Sequence, residues 1–216
     1  AYTSHMDAAI GQLLEALERT CERENTIVIF SSDNGGLNDL PLHGTDTYPG
    51  WQEAYPRLGS NLPYRGVKAQ LYEGGVRTPT LVNWRSHLTP GVVDDPMQVV
   101  DWMPTLTNLV GATMQHDPAW DGRDVWGQIE GSSTDVEERT LFWNFRGHRN
   151  LGVRHGDWKL IDSQKDGTRV QQLFDIAHDP YEQSDLVHDE PERVRDLSEA
   201  MAQMRRADDS AKRSDA

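Results

Sequence analysis

The stretch TIVIFSSDNGG at residues 26–36 constrains the fold more than any other part of the chain. Its first five residues are all β-branched or aromatic, with no polar alternation. This pattern predicts a strand that is buried on both faces, as in the parallel sheet of an α/β protein. Because ligands in open α/β sheets bind beyond the carboxyl ends of the strands, we expect a ligand site just after this strand.

The residues that follow the strand carry suitable ligand atoms. Asp33 and Asn34 offer a carboxylate and an amide oxygen side by side, a donor set that suits calcium or magnesium. Gly35 and Gly36 allow a sharp turn and leave room for a ligand. The same four residues also fit an ordinary turn after a strand, so the pattern alone leaves both interpretations open.

A second stretch, YRGVKAQLYEGGVRTPTLV at residues 64–82, adds a family resemblance. The two stretches in this order resemble the sulfatase family, in the arylsulfatase branch of the alkaline-phosphatase-like superfamily. The resemblance continues in DWMPTL at 101–106, DGRDVW at 121–126 and GVRHGDWKLI at 152–161, and so covers most of the chain. It implies an enzyme that hydrolyses aryl or carbohydrate sulfate esters, with a small molecule or a glycan as its partner.

The resemblance also implies roles for individual residues. Asp33 and Asn34 match ligands of one calcium ion, and Lys68 matches the lysine that holds the sulfate group. The catalytic formylglycine of the family is made from a Cys or Ser in a C-x-P-x-R or S-x-P-x-R pattern, which does not occur around Cys21 (CEREN). We therefore expect the nucleophile and the remaining calcium ligands upstream, and a C-terminal portion that is inactive and binds calcium poorly by itself.

Two histidines are further candidates for substrate binding. His43 lies in a long polar stretch at 37–63, and His148 lies in the C-terminal region. Loops as long as the stretch at 37–63 are often lids or binding segments. A solvated loop position for His43, and a core or surface position for His148, are the alternatives.

The rest of the chain predicts an α/β fold in two parts. Apolar residues at helical spacing predict a helix at 4–21, with Cys21 buried on its apolar stripe, and a short helix at 101–110. We predict that residues 1–135 are the C-terminal part of an α/β domain, a mixed and mostly parallel sheet flanked by helices. Composition turns polar near 132–138, which marks the predicted boundary.

Residues 136–216 are predicted to form a small α+β subdomain. Four strand candidates occur at 140–145, 150–155, 157–162 and 170–176, and short turns between them indicate an antiparallel sheet. Pro191 then introduces a C-terminal helix with apolar residues at three- and four-residue spacing.

Composition excludes several partner classes. The 216 residues include 21 Lys and Arg against 35 Asp and Glu, a formal charge of −14, so we expect no affinity for nucleic acid or anionic lipid. No apolar run is long enough to predict a membrane span. One cysteine excludes an intrachain disulfide, and the resemblance favours a periplasmic or extracellular location.

Two other functions remain open. A phosphohydrolase of the same superfamily would share the strand and its ligands, but such enzymes use more His and Asp ligands than this sequence offers. A non-catalytic binding module is the other alternative, and the intact trio of Asp33, Asn34 and Lys68 argues against it.

Overall fold

The structure, a computed structural model, describes residues 2–37, 59–116, 118–133, 138–145, 147–165 and 167–214. The chain divides into two compact units, each made of two segments. The first comprises Ala1–Ser31 and Thr80–Glu137, and the second comprises Ser32–Pro79 and Glu138–Ala216. The predicted domain division at 135/136 stays a prediction. In the structure, the segment Ser32–Pro79, which holds the DNGG end of the first motif and most of the second, groups with the C-terminal sheet.

The first unit is mainly helical. In chain order its helices and strands are α1 (Tyr2–Arg19), β1 (Val28–Ser31), β2 (Thr80–Asn83), α3 (Trp102–Leu109) and α4 (Trp126–Glu130). Helices α1 and α3 confirm the two helices predicted from apolar spacing. Across the described ranges, no helix has both the length and the apolar character needed to cross a membrane.

The mixed, mostly parallel sheet predicted for the first part of the chain stays a prediction. Within the described residues of the first unit, β1 and β2 form a two-stranded antiparallel sheet in which Val28 pairs with Asn83 and Ser31 with Thr80. β1 is not buried on both faces, since Phe30 is 39% exposed. An apolar run predicts that a strand is buried. It does not encode whether the partner strand runs parallel or antiparallel, because that depends on how the intervening chain connects the two strands.

Polar side chains join the short elements of the first unit. The buried Arg23 donates a hydrogen bond to Asn83 at the end of β2, and the Trp84 indole Nε1 donates to the Glu24 carbonyl at 3.0 Å. Cys21 lies beyond the end of α1 with a φ of 60° and is exposed, so its predicted burial was wrong. The predicted helix ended two residues too late, and the chain turns away before Cys21 reaches the apolar stripe.

The second unit contains the predicted antiparallel sheet. Its strands are β3 (Thr140–Phe145), β4 (Asn150–His155), β5 (Trp158–Lys165) and β6 (Thr168–Asp175), hydrogen-bonded in the order β3-β4-β5-β6. A one-turn helix, α2 (Glu73–Val76), precedes the sheet in the chain, and α5 (Pro191–Ser214) follows it. The four strands, their order and the C-terminal helix were all predicted correctly.

Both faces of this sheet are covered. Because side chains alternate along a strand, Leu160 and Ile161 of β5 point to opposite faces. Leu160 packs in a core with Leu197 and Met201 of α5. Ile161 packs in a second core with Leu71, which lies just before α2. The sheet therefore supports both the C-terminal helix and the segment that carries the second sequence motif.

Truncation of Leu160 tests the first core. Leu160 is fully buried, so Leu160→Ala should lower the free energy of unfolding by about 2–5 kcal/mol through lost transfer energy and a cavity. Urea denaturation followed by circular dichroism would measure the change. Val170→Ala is the matched control on the neighbouring strand, where Val170 is 39% exposed, and should change stability by about 0.5 kcal/mol or less. Equal losses in the two variants would contradict the assignment of this core.

Candidate functional site

Asp33 and Asn34 lie on the short loop directly after β1, as the sequence predicted. Asp33 is exposed and Asn34 is half-buried. The Ser32 hydroxyl donates to the Asn34 carbonyl at 2.8 Å, which fixes the backbone of the turn. The two candidate ligands therefore lie on an ordered turn, with the carboxylate of Asp33 open to solvent.

Gly35 permits an unusually close approach between this loop and α2. Its N–H donates to the Gly75 carbonyl at 3.0 Å. A Cβ atom added at Gly35 would lie 1.8 Å from the Gly74 carbonyl oxygen, far inside van der Waals contact. The second sequence motif, with its paired glycines, therefore packs backbone to backbone against the first.

Asn61 holds a further part of the same arrangement together. Its amide Nδ2 donates to the carbonyls of Gly36 at 2.9 Å and Gly66 at 3.1 Å, and its Oδ1 accepts from the Gly36 N–H at 2.8 Å. One side chain thus joins the loop after β1 to the loop that contains Lys68. The sequence analysis did not single out Asn61. An asparagine next to an X-Pro bond in a long loop carries no distinctive signal.

A main-chain hydrogen bond holds Lys68 next to the candidate metal ligands. The Lys68 N–H donates to the Gly36 carbonyl at 3.1 Å, two residues after Asn34. The Lys68 side chain is exposed, and within the described ranges it forms no ion pair. The fold therefore brings Asp33, Asn34 and Lys68 onto two adjoining loops, and leaves an ammonium group available for an anion.

Only one of the two candidate histidines lies in the described part of the chain. His43 lies outside the described residues. His148 lies in the turn between β3 and β4, where its Nε2 is 3.0 Å from Asp209 Oδ1 of α5 and its N–H donates to Asn144 Oδ1. Substrate binding by either histidine stays a prediction.

A buried charge cluster lies beneath α2. Lys159 of β5 is fully buried, and its Nζ lies 2.7 Å from Glu73 Oε1 and 2.9 Å from Glu182 Oε1. The Glu73 N–H donates to Glu182 Oε2 at 2.6 Å. Burial raises the pKa of Glu182, against the smaller opposing effect of the Lys159 charge. Arg77, four residues after Glu73, lies 3.7 Å from its other oxygen.

The sequence analysis did not single out Lys159 or Glu182. A signal was present for Lys159, which alternates with Ile161 on one face of an apolar strand and is one of only four lysines in the chain. A lysine on an inward face indicates a buried counter-charge. Glu182 lies in a loop after β6 among other acidic residues, and the sequence gives no reason to prefer it.

The residues present fit part of a calcium site. Carboxylate and amide oxygens are the donors that calcium prefers, and Asp33 and Asn34 supply one of each. In the described part of the chain, no group of three or more His, Cys, Asp or Glu side chains could hold a metal ion. Calcium takes 6–8 oxygen ligands, so other residues would have to complete the shell.

Family comparisons agree with the sequence motifs. Residues 3–112 match the family model described as Sulfatase. Residues 67–207 match the model described as N-sulphoglucosamine sulphohydrolase, C-terminal. The two overlapping matches together span nearly the whole described chain.

Individual relatives give the same picture. The chain is similar to an N-acetylgalactosamine-6-O-sulfatase of Bacteroides thetaiotaomicron, at 28% identity over 91% of this chain and 39% of the relative. It is also similar to the steryl-sulfatase of Mus musculus, at 36% identity over 63% of this chain and 21% of the relative. The chain thus spans between about a fifth and two fifths of these relatives.

A solved structure shares the fold. It is a Bacteroides thetaiotaomicron protein described under the metabolism of multiple glycosaminoglycans, with a TM-score of 0.72 and 25% identity. The similarity covers 92% of this chain and 42% of that one.

The contact at Gly35 gives a direct test of how the two loops pack. Gly35→Ala places a methyl group where the Gly74 carbonyl lies, so the loops must separate and the free energy of unfolding should fall by about 1–3 kcal/mol. Gly11→Ala is the matched control, because nothing lies within 4 Å of the added Cβ on α1. Chemical denaturation should show that this control is unchanged or stabilised. A neutral Gly35→Ala would contradict the close packing.

Glu182 predicts a pH dependence of stability. Its pKa is raised in the folded protein above the usual 4.5, so between these two values the folded state holds a proton that the unfolded chain has released. The contribution of Glu182 to the free energy of unfolding is therefore fully present below about pH 4.5, and it is lost as pH rises through the pKa of the folded protein. Glu182→Gln cannot titrate, so the wild-type protein should lose stability relative to this variant as pH rises.

Urea denaturation of both proteins from pH 4 to pH 8 would measure the difference. Other carboxyl groups titrate in both proteins and cancel. Glu192→Gln, at an exposed position of α5, is the control for loss of one negative charge. A difference that is constant with pH, or that grows in favour of the wild type as pH rises, would contradict the raised pKa.

Proposed function

Because the chain belongs to the sulfatase family, we propose that it supplies one side of the active site of an enzyme that hydrolyses sulfate esters. The observation that carries this proposal is the direct bond between the two loops. The Lys68 N–H binds the Gly36 carbonyl, so the candidate anion-binding residue adjoins the turn with Asp33 and Asn34. Hydrolysis of a sulfate ester needs a cationic side chain close to a metal-binding turn, because negative charge on the sulfate oxygens must be stabilised by cations in fixed positions.

In this proposal Lys68 binds a sulfate oxygen. An ammonium on a flexible stem is a compact point charge suited to a tetrahedral anion. The overall charge of −14 would repel an anionic substrate, so the affinity must come from local cations. Lys68 is exposed and has no carboxylate partner in the described ranges, which leaves its charge free for a ligand.

We propose that Asp33 and Asn34 hold one calcium ion together with residues outside this chain. A bound calcium would act as a Lewis acid that draws charge from the sulfate oxygens. The contribution of this chain is to present two oxygen donors from a turn whose backbone is fixed by Ser32 and Gly35. The formylglycine would likewise lie outside the chain and supply the nucleophile.

We also propose that β1 and β2 belong to a larger, mostly parallel sheet in the complete enzyme. The support is the exposed apolar surface of the first unit. Leu81 on β2 is 66% exposed, and Leu13 on α1 is 58% exposed. Further strands and helices would cover these side chains, as expected for an α/β domain whose sheet lies between layers of helices.

A sulfated glycan is the first substrate to test. The match that extends over 91% of the chain is to an enzyme that acts on a sulfated amino sugar, and the match to the steryl-sulfatase covers 63%. Residues 67–207 also match the model described as N-sulphoglucosamine sulphohydrolase, C-terminal. The match over residues 67–207 includes the C-terminal sheet, so we propose that this sheet shapes a sugar-binding pocket.

Lys68→Ala tests the proposed role of the lysine in the complete enzyme. Loss of one charged donor at the sulfate should lower kcat/KM by about 10²–10³-fold, the usual scale for one oxyanion donor. Rates on a chromogenic aryl sulfate and on N-acetylgalactosamine 6-sulfate, with added calcium, would measure it. Arg206→Ala is the control, because it removes one positive charge from an exposed position on α5.

The results separate the alternatives. An unchanged kcat/KM in Lys68→Ala would rule out the sulfate-binding role. Hydrolysis of the matching phosphate esters, with no action on the sulfates, would favour a phosphohydrolase. Binding of a sulfated glycan without turnover by the complete protein would favour a binding module.

A further inference from the structure

The buried cluster of Lys159, Glu73 and Glu182 connects the sheet to the proposed site. Lys159 Nζ lies 2.7 Å from Glu73 Oε1 and 2.9 Å from Glu182 Oε1, and all three side chains are at most 4% exposed. Lys159 Nζ also lies 5.6 Å from the centroid of the Trp143 ring, a favourable cation–π distance. One positive charge is thus enclosed by two carboxylates and an aromatic ring.

The cluster is a costly way to stabilise a fold. Removal of charges from water costs free energy that their mutual attraction often fails to recover, and apolar residues of similar volume can stabilise as well or better. One further feature raises the cost. Glu182 has a φ of 56°, in the left-handed region that disfavours a residue with a side chain. Such strain persists where the surroundings enforce it, and is common near functional sites.

One set of contacts leads from Lys159 to the turn with Asp33 and Asn34. Glu73, held by Lys159, is the first residue of α2 and donates its N–H to Glu182 Oε2 at 2.6 Å. The Gly75 carbonyl of α2 accepts from Gly35 at 3.0 Å. The position of α2 therefore determines the position of the turn that carries the candidate calcium ligands.

A second set of contacts leads to Lys68. Arg65 donates from its guanidinium to the Glu182 carbonyl at 2.9 Å, and its guanidinium carbon lies 4.1 Å from the centroid of the Tyr72 ring. The Arg65 carbonyl in turn accepts from the Gly74 N–H at 2.7 Å. Lys68, three residues later, is bound to Gly36. Glu182 thus contacts both segments that border the site.

We propose that Lys159 is a positioning residue for sulfate-ester hydrolysis. By its contacts with Glu73 and Glu182, it fixes α2 and the loop before it, and thereby sets Lys68 relative to Asp33 and Asn34. A charge serves this purpose because an ammonium between two carboxylates specifies the direction of both, whereas an apolar side chain would fill the space without orienting them. The inference rests on the proposed function for its kinetic part, and on the contacts alone for its structural part.

Lys159→Met in the complete enzyme is the principal test. The change keeps most of the volume and removes the charge. We expect kcat/KM to fall about 10- to 100-fold, mainly in kcat, the usual scale for loss of a residue that orients a site from behind. We also expect faster amide hydrogen exchange at Gly35 and Lys68, whose N–H groups bond across the two loops. Exchange is measured without substrate and does not depend on activity.

Asp162→Asn is the matched control for a general loss of stability. Asp162 lies three residues along the same strand, is 6% exposed, and is bound by Arg169 and Gln171 rather than by the loops. This variant should lose thermal stability yet keep the exchange rates at Gly35 and Lys68 and keep kcat/KM. All measurements are made well below the melting temperature of each variant. An equal effect of Asp162→Asn on exchange and kcat/KM would overturn the proposal.

A double variant addresses the case in which Lys159→Met does not fold. Lys159→Met/Glu182→Gln removes one charge of each sign and leaves Glu73 opposite Arg77, so no carboxylate is left buried without a cation. We expect its thermal stability to exceed that of Lys159→Met, with fast exchange at Gly35 and Lys68 and a low kcat/KM. Recovery of exchange protection and kcat/KM together with stability would show a purely structural role and overturn the proposal.

The outcomes also separate this inference from the proposed function. If the wild-type enzyme fails to hydrolyse sulfate esters, or if Lys68→Ala leaves kcat/KM unchanged, the proposed function fails, and the kinetic part of the inference with it. If Lys68→Ala is impaired while Lys159→Met keeps both wild-type kcat/KM and wild-type exchange, only the positioning role fails.

Discussion

A lysine ammonium that leaves water must be enclosed by counter-charges, and this requirement organises the second unit. Lys159 points from β5 into the protein and meets Glu73 from α2 and Glu182 from the loop after β6. These two carboxylates are far from it in the chain, Glu73 by 86 residues. One buried charge therefore joins three segments that no local interaction would bring together, and it fixes where the sheet meets the loops of the proposed site.

The glycines convert this fixed position into a compact site. Once α2 is held by Glu73, the carbonyls of Gly74 and Gly75 form a surface that only a residue without a side chain can approach closely. Gly35 is that residue, and Asp33 and Asn34 come immediately before it. The turn with Asp33 and Asn34 is therefore not determined by the end of β1 alone. Its position depends on a helix of four residues that a buried ion cluster holds in place.

The site so formed suits an anionic substrate in an acidic protein. A formal charge of −14 gives no long-range attraction for a sulfate ester, so the binding energy has to arise from cations placed at short range. In the proposed function Lys68 would provide one, and a calcium ion on Asp33 and Asn34 would provide another. The two proposals then give different roles to two kinds of charge: the buried Lys159 would orient the loops, and the exposed Lys68 would bind the substrate.

The sequence by itself determined the elements whose signals are local. Alternating strands with short turns specified the antiparallel sheet, apolar spacing specified α5 after Pro191, and two motifs specified the candidate residues. Only the tertiary structure decided that β1 pairs antiparallel with β2, that Cys21 is exposed, and that Glu182 is the partner of Lys159. The reason is physical. Strand direction and buried charge pairs depend on contacts between residues far apart in the chain, and these contacts leave no periodic trace in the sequence.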